Sequence, residues 1–324
     1  MIKRAGDRVR LGLAVVLAGV LMLPVMGGCT TNPATGRSYY NAYSREEEIA
    51  LGEQAAPQLA GEFGGAVPSA TLQRYVSEVG GVLAAQTEAD YPTLPWEFTL
   101  LDSEVINAFA LPGGKVFITR GLASRFTNEA QLASVLGHEV GHVTGQHIDE
   151  SVGRQTGLSI AAVLAGVGAA ILAGDNAGTQ ALAGAGAAGA VQLLGLGALK
   201  FDRDQEIEAD DLGIRYMTRA GYNPIGSLEG MQVLADMATE QGGRSPEILS
   251  THPDPRRRVD IIRDTLEEEF PQALREPNRD VFAERFEADF LEPLSRLAPP
   301  SDQARAGRRG IGAFAWADTH AWCS

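Results

Sequence analysis

Cysteine is almost missing from this sequence, with two residues in 324, Cys29 and Cys323. A disulfide framework is thereby excluded as the source of stability, which must come from an apolar core and from whatever the polar sites bind. Basic residues are scarce too: 27 Lys and Arg stand against 41 Asp and Glu, for a net charge of -14. That balance argues against nucleic acid as a partner, because such binding is driven by cationic side chains neutralising phosphates. No repeat period is visible, and the roughly 50 residues at the C-terminal end are too few for a helical repeat array, which needs at least three units. Long apolar runs are also lacking. Gly, Ala, Leu and Val dominate residues 157–199, but in two stretches of fewer than 20 residues split by Gly174-Asp175-Asn176-Ala177-Gly178. So many glycines support a transmembrane hairpin weakly, and the segment reads rather as an apolar lid or a loop resting on a membrane.

What is present begins with an export pattern. Lys3, Arg4, Arg8 and Arg10 precede an apolar run from Leu11 to Met26, which reads as a signal peptide over residues 1–28. The run ends in Met26-Gly27-Gly28-Cys29, the arrangement of a bacterial lipobox, so Cys29 is expected to carry a lipid that anchors the protein to a membrane. A plain signal peptide and an uncleaved anchor helix are the alternatives. Thr30, rather than Asp, follows the cysteine. By resemblance to other lipoproteins, that implies the periplasmic face of the outer membrane in a Gram-negative envelope. The remaining composition, 44% hydrophobic and 21% charged, is that of a globular protein able to bury a site.

Local signals predict the elements. Ser44-Arg45-Glu46-Glu47 has the form of a capping box opening a helix to about Gly61, and a second helix is expected from about Ser69 to Gln86. Trp96, Phe98 and Leu100 alternate on one face of a strand between Pro95 and Leu101. Val105 to Leu111 and Val116 to Thr119, joined by Pro112-Gly113-Gly114-Lys115, read as a hairpin. Asn128 with Gln131 caps a helix carrying Leu132, Val135, Leu136, Val140 and Val143 at helical spacing. Further helices are expected from Asp204 to Ala220 and after Pro255.

The chemistry sits on the capped helix. His138-Glu139-Val140-Gly141-His142 places two imidazoles at i and i+4 on one helix face, where both can bind one Zn²⁺. Glu139 beside the first histidine can reach a water activated by that ion and act as general base in peptide hydrolysis. With histidine at only five positions in the chain, this spacing is informative. Two histidines and a water leave tetrahedral zinc one protein ligand short. His147 falls one residue early for a short-range third histidine, and is read as structural. Glu206-Ile207-Glu208-Ala209-Asp210 is the stronger source, since Glu206 and Asp210 share a helix face and Glu208 points elsewhere. On spacing alone Glu206 is also readable as a solvated helix acid. Asp210 would orient a ligand histidine.

HEVGH followed by Asp204-Gln205-Glu206-Ile207-Glu208-Ala209-Asp210 resembles the M48 peptidases, a family that includes envelope quality-control proteases of Gram-negative bacteria. The resemblance implies an α+β, mostly helical zincin-like fold with a small β-sheet and hairpin, one zinc per chain, and Glu206 as third ligand. It likens Asn107 to Gly114 to the edge strand and turn beside the cleft, where an extended polypeptide substrate can add as a strand. It also points to His252 and Arg258, six residues apart, as catalytic residues near the metal. Bottom-up, His252 between Thr251 and Pro253 is equally a loop or capping residue. The expected division is a signal peptide at 1–28, a metallopeptidase domain at 29–272 and a tail of unknown role at 273–324. The expected function is zinc-dependent endopeptidase action on misfolded or unassembled envelope proteins. The alternatives are a latent protease, or a chaperone-like factor working with the outer-membrane assembly machinery.

Overall fold

The computed structural model describes residues 29–40, 43–151, 200–240 and 246–300. The expected signal peptide, the apolar segment at 157–199 and Cys323 lie outside the described residues. Helix starts follow the local chemistry. Ser44 caps α1 (Arg45–Glu62) through the full capping box with Glu47, which satisfies two orphan N–H donors. Ser69 caps α2 (Ala70–Ala84), accepting from the Leu72 N–H. A ribbon of two short strands, β1 (Cys29–Thr31) and β2 (Ser38–Tyr40), precedes α1. Its turn is organised by Asn32, whose side-chain oxygen accepts from the N–H groups of Ala34 and Thr35.

The main sheet contains β3 (Glu97–Leu101), β4 (Ala108–Leu111) and β5 (Lys115–Thr119) in the order β3-β5-β4. β4 and β5 form the expected antiparallel hairpin, and β3 runs parallel to β5. At the hairpin turn Gly113 and Gly114 have φ of 72° and 85°, the left-handed region. A Cβ on Gly113 would also lie 2.6 Å from Ile49 Cα, so the turn can press against α1 only with glycine there. Among the described residues no strand pairs with the outer side of β4.

After the one-turn helix α3 (Arg120–Ala123), the helix α4 (Glu129–Thr144), capped by Asn128, is buried at every position because the sheet, α2 and two later helices surround it. The later helices are α5 (Arg203–Arg219), opened by an Asp202–Gln205 capping box, and α6 (Ile225–Glu240). Glycines bring α4 and α5 together: a Cβ on Gly141 would lie 2.8 Å from Ala209 O, and one on Gly213 would lie 2.9 Å from His138 N. This close approach sets HEVGH beside EIEAD. A short helix, α7 (Ile248–Thr251), and then α8 (Pro255–Glu269) pass over the same region.

Residues 271–300, read from the sequence mostly as tail, form short helices that include Pro271–Arg275, Ala283–Phe286 and Glu292–Ser295. Phe286 and Phe290 are fully buried and pack with Tyr75 of α2, so this stretch joins the same core. No helix among the described residues is long and apolar enough to cross a membrane. The fold is α+β and mostly helical, with a small sheet and hairpin, as the sequence implied.

Candidate metal centre

Helix periodicity turns His138 and His142 of α4 the same way, and their Nε2 atoms are 3.0 Å apart. Across the glycine contact, α5 supplies Glu206, whose Oε1 is 3.4 Å from His142 Nε2 and whose Oε2 is 3.6 Å from His138 Nε2. His252, at the C-terminal end of α7, adds a fourth donor: its Nδ1 is 2.9 Å from Glu206 Oε1 and 3.3 Å from His138 Nε2. One donor atom from each of these four buried residues falls within 4.8 Å of the others. Three imidazole nitrogens and one carboxylate, converging in a buried site, make a donor set that fits a single divalent cation.

Around the donors lies a saturated set of charges. Asp210, one turn after Glu206, sits 2.9 Å from His138 Nδ1, which directs the opposite nitrogen into the centre. Arg258 of α8 donates to both Asp210 oxygens at 2.7 and 2.6 Å, and to Glu206 Oε2. Its guanidinium therefore bridges the two acids of α5. Burial opposes ionisation of both acids, but the charges facing them win. His252 and Arg258 hold the Glu206 carboxyl well below its ordinary range, and Arg258 lowers that of Asp210. Burial drives His142 well below the usual histidine value, favouring the neutral ring a metal ligand must be.

Glu139 differs from all of these. It is 1% exposed, and neither carboxylate oxygen has a hydrogen-bond partner among the described residues. The ionisable side chain facing it is His252, with Nε2 3.6 Å from Glu139 Oε1. Burial raises its carboxyl above the ordinary value. An orphaned buried carboxylate costs stability, and this one stands beside the donor set.

The structure thus brings together His138, Glu139, His142, Glu206, Asp210, His252 and Arg258. Of the expected site residues only Cys29 lies elsewhere, in β1. Sequence reasoning overlooked Phe201, whose ring stacks on His142 at 3.9 Å between centroids. It also set aside His147, which is fully buried with Nδ1 3.0 Å from His142 Nδ1. Only its proximity to HEVGH could have signalled it. Glu208 does point away from the donors, as expected, and meets His147 Nε2 at 2.7 Å.

Comparison with known proteins agrees with this geometry. The model of the family described as peptidase family M48 matches residues 70–266, which include both helices of the centre. The Beta-barrel assembly-enhancing protease of Yersinia pestis is 31% identical over 263 residues, 78% of this chain and 52% of that protein. Its Escherichia coli (strain K12) counterpart is 31% identical over 249 residues, 76% of this chain and 49% of that protein. The Mitochondrial metalloendopeptidase OMA1 of Schizosaccharomyces pombe is 31% identical over 242 residues, 73% of this chain and 66% of that protein. The chain spans about half the length of the two bacterial relatives. Because the family match covers well over half of the 324 residues and takes in both helices that build the donor set, the chain belongs to peptidase family M48.

Proposed function

We propose that the chain is a zinc-dependent endopeptidase of the Gram-negative envelope, anchored through a lipid on Cys29, that cuts misfolded or unassembled polypeptides. The observation that carries this reading is the buried donor set His138, His142, Glu206 and His252 with the unpaired Glu139 alongside. His138, His142 and Glu206 would hold the ion. A zinc ion there supplies Lewis acidity and makes a water molecule acidic near neutral pH. Glu139 would act as the general base, taking a proton from the attacking water and returning it to the leaving amine. Burial raises the Glu139 carboxyl above its ordinary value, the direction that makes it a stronger base. Asp210 orients His138, and Arg258, committed to Asp210 and Glu206, acts as a positioning residue for both. β4 lies at the edge of the sheet among the described residues, the position at which an extended substrate would add as a strand. The names of the bacterial relatives extend the reading to proteins on their way to the outer-membrane assembly machinery.

A second reading, latency, is favoured by His252. Its ring lies between Glu139 and Glu206, with one nitrogen towards each, so it would fill a fourth position beside the three expected ligands. A neutral imidazole there closes the centre as structural zinc sites are closed. His252→Ala is then expected to raise basal cleavage of an unfolded protein with zinc still bound; a fall of roughly 100-fold would instead assign His252 to the oxyanion. The zinc assignment itself is tested by metal analysis of Glu206→Ala, which should have lost most of its zinc. Full occupancy in that variant would remove Glu206 from the ligands. A purely chaperone-like role is disfavoured because a binding module has no use for an unpaired buried base.

A further inference from the structure

A line of polar groups runs from His142 away from the centre to the N-terminal ribbon. His142 Nδ1 meets His147 Nδ1 at 3.0 Å, and His147 Nε2 meets Glu208 Oε2 at 2.7 Å. That same oxygen is 3.3 Å from Arg37, which lies in the ribbon just before β2. Arg37 also pairs with Glu150 at 2.6 Å and donates to Gly145 O at 3.4 Å. From the same turn, Asn32 donates to Thr144 O at 2.8 Å. The ribbon thus occupies two carbonyls at the C-terminal end of α4, where helix acceptors otherwise go unpaired and a cation is favoured.

The protons along this line have one fully satisfied arrangement. His142 turns Nε2 into the donor set, so that nitrogen must keep its lone pair and Nδ1 must carry the proton. His147 Nδ1 then accepts, its own proton sits on Nε2, and that N–H donates to the Glu208 carboxylate. Reversing the bond between the two rings would aim an N–H from His142 at the other ligands. It would also set a bare His147 lone pair against Glu208, two acceptors in contact.

We infer that His147 and Glu208 are positioning residues for metal binding, with Arg37 as their outer support. Together they hold His142 in the tautomer and orientation a cation requires, and they tie the ribbon beside Cys29 to the strength of metal binding. Hydrogen-bond partners of metal-ligating histidines raise ligand basicity and fix ring orientation in this way. The inference rests on the metallopeptidase reading, and the two can fail separately.

The test is zinc affinity, measured by competition with a chromogenic chelator on the full chain, alongside thermal unfolding of the metal-free protein. Glu208→Ala is expected to weaken zinc binding by about 10- to 100-fold, and Glu208→Gln, which keeps an acceptor oxygen, to recover part of that loss. Arg37→Ala should cost less, about 2- to 10-fold, because it acts one step further out. His147→Ala should equal or exceed Glu208→Ala, and if it fails to fold the half-buried Glu208 still decides the matter. A merely structural role would lower the unfolding temperature of the metal-free chain and leave zinc affinity alone. Zinc affinity within about twofold of wild type in Glu208→Ala overturns the inference, as does an equal loss in Glu208→Gln. A wild-type chain that binds no zinc overturns the metallopeptidase reading instead.

Discussion

Helix α4 carries one buried glutamate at its start and another about two-thirds of the way along, and the two are furnished very differently. Glu129 accepts from Tyr222 at 2.6 Å, from Arg285 Nε at 2.7 Å and from Tyr75. The backbone N–H groups of Glu129 and Ala130 donate to Val281 O in the C-terminal stretch. Glu139, equally buried, has no hydrogen-bond partner among the described residues. A carboxylate held by two hydroxyls and a guanidinium is fixed in place and stabilises the fold, whereas one left bare is costly and free to take a proton. One helix therefore carries a clamped carboxylate at its capped start and a bare one about two-thirds of the way along, beside the donor set.

The comparison can be broken by exchanging what each acid is expected to lose. The largest effect on stability belongs to Glu129→Ala, which takes the acceptor from two tyrosine hydroxyls and the partner from the half-exposed Arg285. We expect about 2 to 4 kcal/mol lost in urea unfolding, with cleavage per folded molecule retained. A loss below about 0.5 kcal/mol would show that the clamp does not anchor α4.

A third glutamate sharpens the contrast through pH. Glu48 of α1 lines a small cavity with Asp149, Gln146 and Tyr43. Burial and the Asp149 charge push its carboxyl up to about 7. A carboxyl raised in the folded state favours the protonated form, so its contribution is full below the ordinary value near 4.5 and fades as pH rises through about 7. Across that window Glu48→Gln should gain about 1 to 3 kcal/mol relative to wild type, read from paired unfolding curves. Parallel curves would mean that Glu48 titrates normally. The smallest effect is expected at Glu139: in metal-free protein Glu139→Gln should stabilise by no more than about 1 kcal/mol, since a neutral amide is cheaper to bury. A clear destabilisation would reveal a partner for the carboxylate.

Legibility from sequence followed the range of the interactions. The Ser44 capping box, the Asn128 cap, the Pro112-Gly113-Gly114 turn and the two histidines at i and i+4 are all local, and each was readable. Glu206 needed the resemblance as well, because a helix acid looks the same in solvent as at a metal. Arg258 was expected near the centre, but its commitment to Asp210 and Glu206 depends on contacts spanning 48 and 52 residues. Nearness to HEVGH was the one local signal for His147, and its second partner, Glu208, is 61 residues away. Helix α6 opens behind Asn223-Pro224 with a glycine at its second position, and its weak amphipathic pattern passed unread. The C-terminal stretch was hidden by its charge, since Phe286 and Phe290 are apolar anchors among many acids.

The central claim, that Glu139 is the base of a metal-dependent peptidase, is tested most directly by measuring bound zinc and unfolded-casein cleavage side by side in wild type and Glu139→Gln. The expected result is one zinc per chain in both proteins, with cleavage lower by roughly 100- to 10,000-fold in the variant. Equal cleavage by the two proteins with zinc bound, or undiminished wild-type cleavage after the metal is stripped, would contradict it.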